Sequence, residues 1–158
     1  MADEDLPILF DFQLDPDANY MAAFTPVDPT DRCAFDEHWK RIRADDKVVV
    51  QTVIVDGSVV GHIASFERFG QREVTYSIGK SYWGKGIATR ALSAFLEEQQ
   101  QRPIFARAAK DNVASLRVLK KCGFAITGEE TGHANARDKE VQEYILSLSD
   151  SPPPSSRR

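Results

Sequence analysis

The sequence predicts an α/β domain in which helices flank a mixed, mostly antiparallel sheet. Two observations lead to this fold class. Short β-branched segments joined by tight turns predict antiparallel hairpins, and amphipathic helical segments between later strands predict crossovers that add parallel pairs. The length of 158 residues fits one domain with one core. We therefore expect a domain over residues 1–148, with the element order β-αα-βββ-α-β-α-ββ.

The first three elements are predicted to be a strand and two helices. Residues 8–14 form a short, largely apolar segment that we interpret as the first strand. Asp15 followed by Pro16 is a typical helix start and predicts a helix over residues 18–24. The second helix follows Asp31, and its apolar side chains recur on one face at i, i+4 and i+7: Phe35, Trp39 and Ile42.

A hairpin and a third central strand come next. Val48–Val55 is rich in β-branched residues, and Asp56-Gly57 is a typical two-residue turn into a strand over Val59–Phe66. The segment Glu73–Ile78 alternates polar and apolar side chains, as a strand does. Its polar face carries Glu73, Thr75 and Ser77.

The remaining chain alternates helices and strands. A helix with an apolar stripe is predicted from Gly84 to about Gln99, and Asn112 caps a second helix that stops at Gly123. Strands are predicted over Ile104–Ala109, Phe124–Thr127 and Val141–Leu148. The Pro/Ser-rich residues 149–158 are predicted to be a disordered tail.

Composition narrows the class of function. The net charge of −4 argues against a general nucleic-acid binder, and no apolar run approaches the roughly 20 residues of a membrane span. The acidic N-terminal residues are unlike a secretory signal, so we expect a cytoplasmic protein. Cys33 and Cys122 have no partners at metal-ligand spacing, and we expect neither a metal nor a disulfide.

A glycine-rich turn precedes the helix at residue 84. Its sequence is Tyr-Trp-Gly-Lys-Gly-Ile-Ala-Thr, residues 82–89. The first amides of a helix lack partners, and Gly84 and Gly86 would let a phosphate oxygen reach them. The P-loop pattern is absent, and Thr89 replaces the third glycine of the dinucleotide fingerprint. A tight strand-to-helix turn without a ligand is the alternative.

Asn112 and Ser115 open the next helix and share one of its faces. Both residue types prefer helix starts whatever the function, so simple capping is the alternative interpretation. A binding role for the pair is supported by its position one strand after the glycine-rich turn.

These motifs resemble those of the GNAT acetyltransferases, and the resemblance covers most of residues 8–148. The central [Q/R]-x-x-G-x-[G/A] motif of that family corresponds to residues 83–88, with Trp83 in the first position. The aromatic residue there, and the Asn112-x-x-Ser115 stretch that ends in Gly123-Phe124, are similar to the ribosomal-protein N-terminal acetyltransferase branch.

The resemblance implies acetyl-CoA as co-substrate, no metal, and an amine acceptor. Homodimers are frequent in similar proteins. The pyrophosphate would bind amides of the turn: Gly84, Lys85, Gly86, Ile87, Ala88 and Thr89. The pantetheine arm would contact Asn112 and Ser115 and would pair like an added strand with Ser77, Ile78, Gly79 and Lys80.

The expected reaction is direct attack of a neutral amine on the thioester, with a backbone N–H near Ser77 or Ile78 polarising the carbonyl. Many family members have a tyrosine as general acid where this chain has Leu119. Ser115 is the nearest replacement, or the thiolate leaves into solvent. Glu73 is the candidate base, acting through water because it lies about 14 Å along the strand from Ser77. His62 is the second candidate.

Charge is distributed unevenly. Residues 80–121 carry nine Lys/Arg and three Asp/Glu, a balance of +6 that leaves −10 for the rest of the chain. This division favours a polyanionic coenzyme on one side and a primary amine, either a small molecule or a protein N-terminus, on the other. A non-catalytic acyl-CoA-binding or regulatory module on the same fold is the alternative function.

Overall fold

The computed structural model describes residues 1–149. Apart from Ser149, the predicted disordered tail lies outside the described residues. The helices are α1 (Leu6–Gln13), α2 (Pro16–Ala22), α3 (Arg32–Ala44), α4 (Ile87–Glu98) and α5 (Val113–Lys121). The strands are β1 (Val49–Val55), β2 (Ser58–Arg68), β3 (Gln71–Ile78), β4 (Ile104–Ala109), β5 (Ala125–Ala134) and β6 (Lys139–Leu148). Within the described residues, no helix is long and apolar enough to span a membrane.

One six-stranded mixed sheet contains all of these strands, in the order β1-β2-β3-β4-β6-β5, which confirms the predicted α/β class. Four of the five pairings are antiparallel. The parallel pairing of β3 with β4 is limited to one residue pair, Glu73 opposite Phe105. Beyond that pair the two strands separate, and the sheet opens at its centre.

Helices cover both faces of the sheet. The largest cluster of buried side chains joins Leu92 and Phe95 of α4 and Leu119 of α5 to Ile63 of β2. His62, the neighbour of Ile63, instead packs edge-on against Trp39 of α3 at 4.9 Å between ring centroids. Because consecutive strand residues point to opposite faces, α4 and α5 lie on one face and α3 on the other.

The strand predicted over residues 8–14 is wrong, because Leu6–Gln13 forms helix α1. Pro7 lies in its first turn, where a missing N–H costs nothing. Leu9 and Phe10 pack against Phe35 and Trp39 of α3. A short apolar segment fits either element by its pattern, and this packing against α3 favours the helix.

The other predicted elements are confirmed, with changes at their ends. Asp56 and Gly57 form the predicted hairpin turn, both with positive φ. Helix α4 begins at Ile87 instead of Gly84, because Gly84 and Gly86 adopt left-handed backbone angles that end the turn. Strand β5 extends to Ala134 and not to Thr127. Its second half is polar, exposed and held by pairing with β6, so apolar periodicity could not reveal it.

Candidate functional site

The opening between β3 and β4 leaves part of the β3 backbone without a strand neighbour. The Gly79 N–H donates to the Val60 carbonyl at 2.8 Å. Because bonded residues alternate along an antiparallel pair, the amides of Tyr76 and Ile78 point away from β2 and toward the opening. This edge can pair with an extended polar ligand, as an additional strand would.

The glycine-rich turn lies next to this edge and leads into α4. Gly84 and Gly86 have φ of 76° and 74°, and a methyl group at either position would meet no atom within 4 Å. The first bond of the helix runs from the Arg90 N–H to the Gly86 carbonyl at 3.1 Å. The amides of Ile87, Ala88 and Thr89 precede that bond and have no intrahelical acceptor. Open space and unpaired amides together form a cradle suited to phosphate.

Trp83 joins the turn to the end of β3. Its indole N–H donates to the Ile78 carbonyl at 2.7 Å, while almost half of the side chain stays exposed. Gly79 is covered by the ring of Phe12, which would lie 2.8 Å from a Cβ at that position. Lys80 is exposed and ion-paired with Asp17, and that hydrogen bond raises its pKa. Of the four residues predicted at the strand end, Ser77 is exposed and Ile78 is buried.

Asn112 caps α5 as its sequence position predicted. Its side-chain oxygen accepts a hydrogen bond from the Ser115 N–H at 3.2 Å, and its amide nitrogen donates to the Met21 carbonyl at 3.3 Å. Asn112 therefore also ties α5 to the end of α2. The structure gives this residue a capping role, and a ligand contact there stays a prediction.

Ser115 contacts a residue that the sequence did not single out. Its hydroxyl oxygen lies 2.8 Å from the phenol oxygen of Tyr76 on β3, and both side chains are half-buried. Burial raises the pKa of Tyr76 to about 12, so this phenol keeps its proton at neutral pH. The alternation of polar and apolar residues in β3 puts Tyr76 on the apolar face of the strand, and α5 covers that face. Only the fold brings its hydroxyl to Ser115.

Leu119 lies inside the main cluster with 1% of its surface exposed. Leu119 is thus a core residue and offers no hydroxyl to the site.

Glu73 is buried within a cluster of charged side chains. Its carboxylate accepts a hydrogen bond from Arg107 Nε at 3.1 Å and lies 3.7 Å from Arg68. Arg107 also donates to Glu130 at 2.8 Å and to Glu143 at 3.0 Å. Burial lowers the pKa of Arg107, but the bonds to the three carboxylates outweigh it and hold the pKa above its ordinary value. The sequence did not reveal Arg107, because its partners come from strands 34 and 36 residues away.

His62 lies on the same face of the sheet as Glu73, directly opposite Ser77. Burial, together with the nearby charge of His38, lowers the pKa of His62 to about 4. Its imidazole is therefore neutral at physiological pH.

The family described as acetyltransferase (GNAT) domain matches residues 1–125 of the chain. Among curated proteins, the chain is similar to the uncharacterized N-acetyltransferase YnaD of Bacillus subtilis, with 36% identity over 78 residues, or 44% of this chain. The chain spans about half the length of the curated relatives it matches, 45% for YnaD.

Two solved structures share the fold over nearly the whole chain. Spermidine N-acetyltransferase from Vibrio cholerae, in complex with CoA and spermine, superimposes with a TM-score of 0.80 at 14% identity, covering 96% of this chain and 94% of that one. RimJ of Mycobacterium smegmatis, in complex with CoA-disulfide, gives a TM-score of 0.79 at 19% identity, covering 94% and 79%. At these identities the likeness is one of fold.

Proposed function

The chain belongs to the GNAT acetyltransferase family, and from this premise we propose that it transfers an acetyl group from acetyl-CoA to a primary amine. The observation that carries the proposal is that the open glycine turn lies beside the open edge of β3, to which the Trp83 indole connects it through the Ile78 carbonyl. A phosphate cradle at one end and a strand edge at the other suit a ligand with a pyrophosphate and an amide-bearing arm. The CoA in the two similar structures supports the same assignment.

In this proposal the pyrophosphate binds the amides of Ile87, Ala88 and Thr89, with Lys85 exposed beside the turn. The pantetheine arm pairs with the edge of β3 and reaches the start of α5. The Ile78 N–H points into the opening and polarises the thioester carbonyl in the manner of an oxyanion hole. Placing both reactants in line lowers the barrier by up to about 7–11 kcal/mol.

The amine must lose its proton before or during attack. We propose Glu73 as the base, acting through water from the sheet face that also carries Ser77. The hydrogen bond from Arg107 Nε, 3.1 Å long, fixes the orientation of this buried carboxylate. His62 is the second candidate, and it lies half-buried with its ring edge-on against Trp39, which leaves it less accessible to an entering amine.

The acceptor class follows from charge. The face with Glu73, Glu130 and Glu143 carries three carboxylates against two arginines, Arg107 and Arg68, and the remaining negative charge favours a cationic partner. We therefore propose a primary amine, either a small molecule or a protein N-terminus. The spermine bound to the Vibrio cholerae enzyme supports an amine of this kind.

Two free thiols, Cys33 and Cys122, support a cytoplasmic setting.

Release of CoA thiol in the presence of amines tests the proposal. The purified chain is mixed with acetyl-CoA and a panel of diamines, polyamines, amino acids and peptides with free N-termini, and each rate is compared with that of an amine-free control. We expect amine-dependent thiol release, with the acetylated product identified by mass. Tight acetyl-CoA binding without transfer to any amine would favour the non-catalytic module, and absence of binding would refute both functions.

A further inference from the structure

Tyr76 and Ser115 face each other across the opening in the sheet. Tyr76 belongs to β3, on one side of the opening, while Ser115 lies on the first turn of α5, which follows β4 on the other side. Their oxygens are 2.8 Å apart. The pair thus joins the two walls between which the thioester arm is proposed to lie.

Two hydroxyl groups in contact use one proton for the hydrogen bond between them, and the second proton is left for another acceptor. Either oxygen can be the donor within the pair. When Tyr76 donates to Ser115, the Ser115 proton is directed away from Tyr76. Since both side chains keep some exposure to solvent, a ligand in the opening can accept a hydrogen bond from the Ser115 hydroxyl.

We propose that Tyr76 is a positioning residue for acetyl transfer. Its phenol donates to Ser115 Oγ and so directs the Ser115 proton toward the departing sulfur. The inference rests on the proposed function. As the amine nitrogen bonds to the acetyl carbon, the C–S bond breaks and its electron pair goes to sulfur. The Ser115 hydroxyl stabilises this thiolate by a hydrogen bond, the thiolate takes its proton from water, and the amine proton leaves through the base to solvent.

Three features of the site favour this assignment. Leu119 is apolar and buried, so it offers no proton from the last turn of α5. Burial raises the pKa of Tyr76 to about 12, so the phenol stays protonated over the working range and remains a donor. The Ser115 carbonyl is a second acceptor for the phenol proton, but it lies 3.4 Å away, and the contact of 2.8 Å with Ser115 Oγ is the stronger hydrogen bond.

Titration of the CoA thiol bound to the enzyme tests the inference. The ultraviolet absorbance of the thiolate is followed against pH for the wild type, Tyr76→Phe and Ser115→Ala. A hydrogen bond to the thiolate lowers the thiol pKa, and we expect both variants to raise it by about one unit, a tenfold effect. Tyr144→Phe is the matched control, since it removes a phenol oxygen from another half-buried strand residue. We expect it to leave the thiol pKa unchanged.

Kinetics supplies the second readout. We expect Tyr76→Phe to lower kcat about tenfold while the KM for acetyl-CoA stays within about twofold, because the lost interaction strengthens only as charge develops on sulfur. In a protein that already carries Ser115→Ala, Tyr76→Phe should not lower kcat any further, since Tyr76 acts through Ser115.

The outcomes separate this inference from the function on which it rests. Failure of the wild type to bind CoA would refute the proposed function. A wild type that binds CoA and turns over, together with a folded Tyr76→Phe variant whose thiol pKa and kcat are unchanged, would overturn the role of Tyr76 alone. The role of Tyr76 would also be overturned if the reductions in kcat from Tyr76→Phe and Ser115→Ala multiplied in full when the two substitutions are combined.

Discussion

Single residues in this site serve the fold and the proposed chemistry together. Asn112 accepts the Ser115 N–H, and thereby caps α5 and fixes the residue whose hydroxyl meets Tyr76. Capping and ligand binding are therefore compatible at this position. They can be told apart only by measuring stability and coenzyme affinity in the same variant.

We expect Asn112→Ala to lower the free energy of unfolding by about 1 kcal/mol, the usual value of a side-chain N-cap. It should also raise the KM for acetyl-CoA, because the start of α5 then loses its fixed position. Asp31→Ala is the matched control, since Asp31 caps α3 in the same way through the Ala34 N–H at 3.0 Å. Thermal melts and steady-state kinetics on both variants check the prediction. An equal effect on the KM in the two variants would reduce Asn112 to a cap.

Sequence reasoning reached some of these residues and missed others for a physical reason. Gly84, Gly86 and Asn112 were found because local backbone demands restrict which residue can stand there. Tyr76 and Arg107 were missed because their partners are distant in sequence. Arg107 meets Glu73, Glu130 and Glu143 only after β4 is placed between β3 and β6. No local pattern contains that information.

At the level of elements, the ends of helices and strands hold the site together. Arg137, in the turn between β5 and β6, forms a bidentate ion pair with Asp111 at 2.6 and 2.9 Å. It also lies over the ring of Tyr20 at 4.3 Å and donates to the Tyr20 carbonyl. One arginine thus connects α2, the start of α5 and the β5–β6 turn.

The ion pair predicts a dependence of stability on pH. The hydrogen bonds from Arg137 lower the pKa of Asp111 below its ordinary value of 3.8. Its stabilisation is therefore complete above that value and disappears as the pH falls through the lower pKa of the folded state. We expect Asp111→Asn to lower the free energy of unfolding by up to about 1 kcal/mol at neutral pH, because the carboxylate is more than half exposed.

Urea unfolding of Asp111→Asn and the wild type, from pH 7 down to about pH 3, checks this. The difference between the two proteins should narrow with acidification. Asp138→Asn, which removes the charge of a fully exposed carboxylate, is the control and should show little difference at any pH. A difference that stays constant across the range would show that the charge of Asp111 is not what stabilises the connection.

The first element, predicted as a strand over residues 8–14, is helix α1 in the structure. Alternation and helical periodicity cannot be distinguished in residues 8–14, where five of seven side chains are apolar, and the sequence pattern predicts a strand there. Contacts with α3 decide the outcome, and these are tertiary. The segments longer than about ten residues, or framed by turns such as Asp56-Gly57, were predicted correctly because several local signals agreed.

Over the whole molecule, ion pairs within the fold neutralise part of the charge imbalance that the sequence shows between residues 80–121 and the rest of the chain. Residues 80–121 carry the excess of +6. Within this segment, however, Arg107 is ion-paired with three carboxylates on the face of the sheet opposite to α4 and α5. That face stays acidic after the pairing, which supports a cationic acceptor. The coenzyme side keeps exposed Lys85, Arg90 and Lys120.

We expect the KM of a cationic acceptor to rise with ionic strength, because salt screens attraction to the acidic face over about 10 Å at 0.1 M. The rise should be steeper for a diamine than for a monoamine of similar length, and the kcat should change little. Initial rates at about 0.02 and 0.5 M salt check this. A KM independent of salt, or a preference for anionic acceptors, would contradict the role given to the acidic face.

The central claim is that acetyl-CoA binds with its pyrophosphate in the cradle formed by the glycine turn, and one calorimetric comparison tests it most directly. Gly86→Glu places bulk and negative charge where the phosphates are proposed to lie. Gly70→Glu is its match, since Gly70 has a similar φ, 76° against 74° for Gly86, and lies in open space at the β2–β3 turn. We expect Gly86→Glu to weaken acetyl-CoA binding at least about a hundredfold, the equivalent of two charge-assisted hydrogen bonds. Gly70→Glu should bind as the wild type does. Equal affinity in the two folded variants would contradict the account.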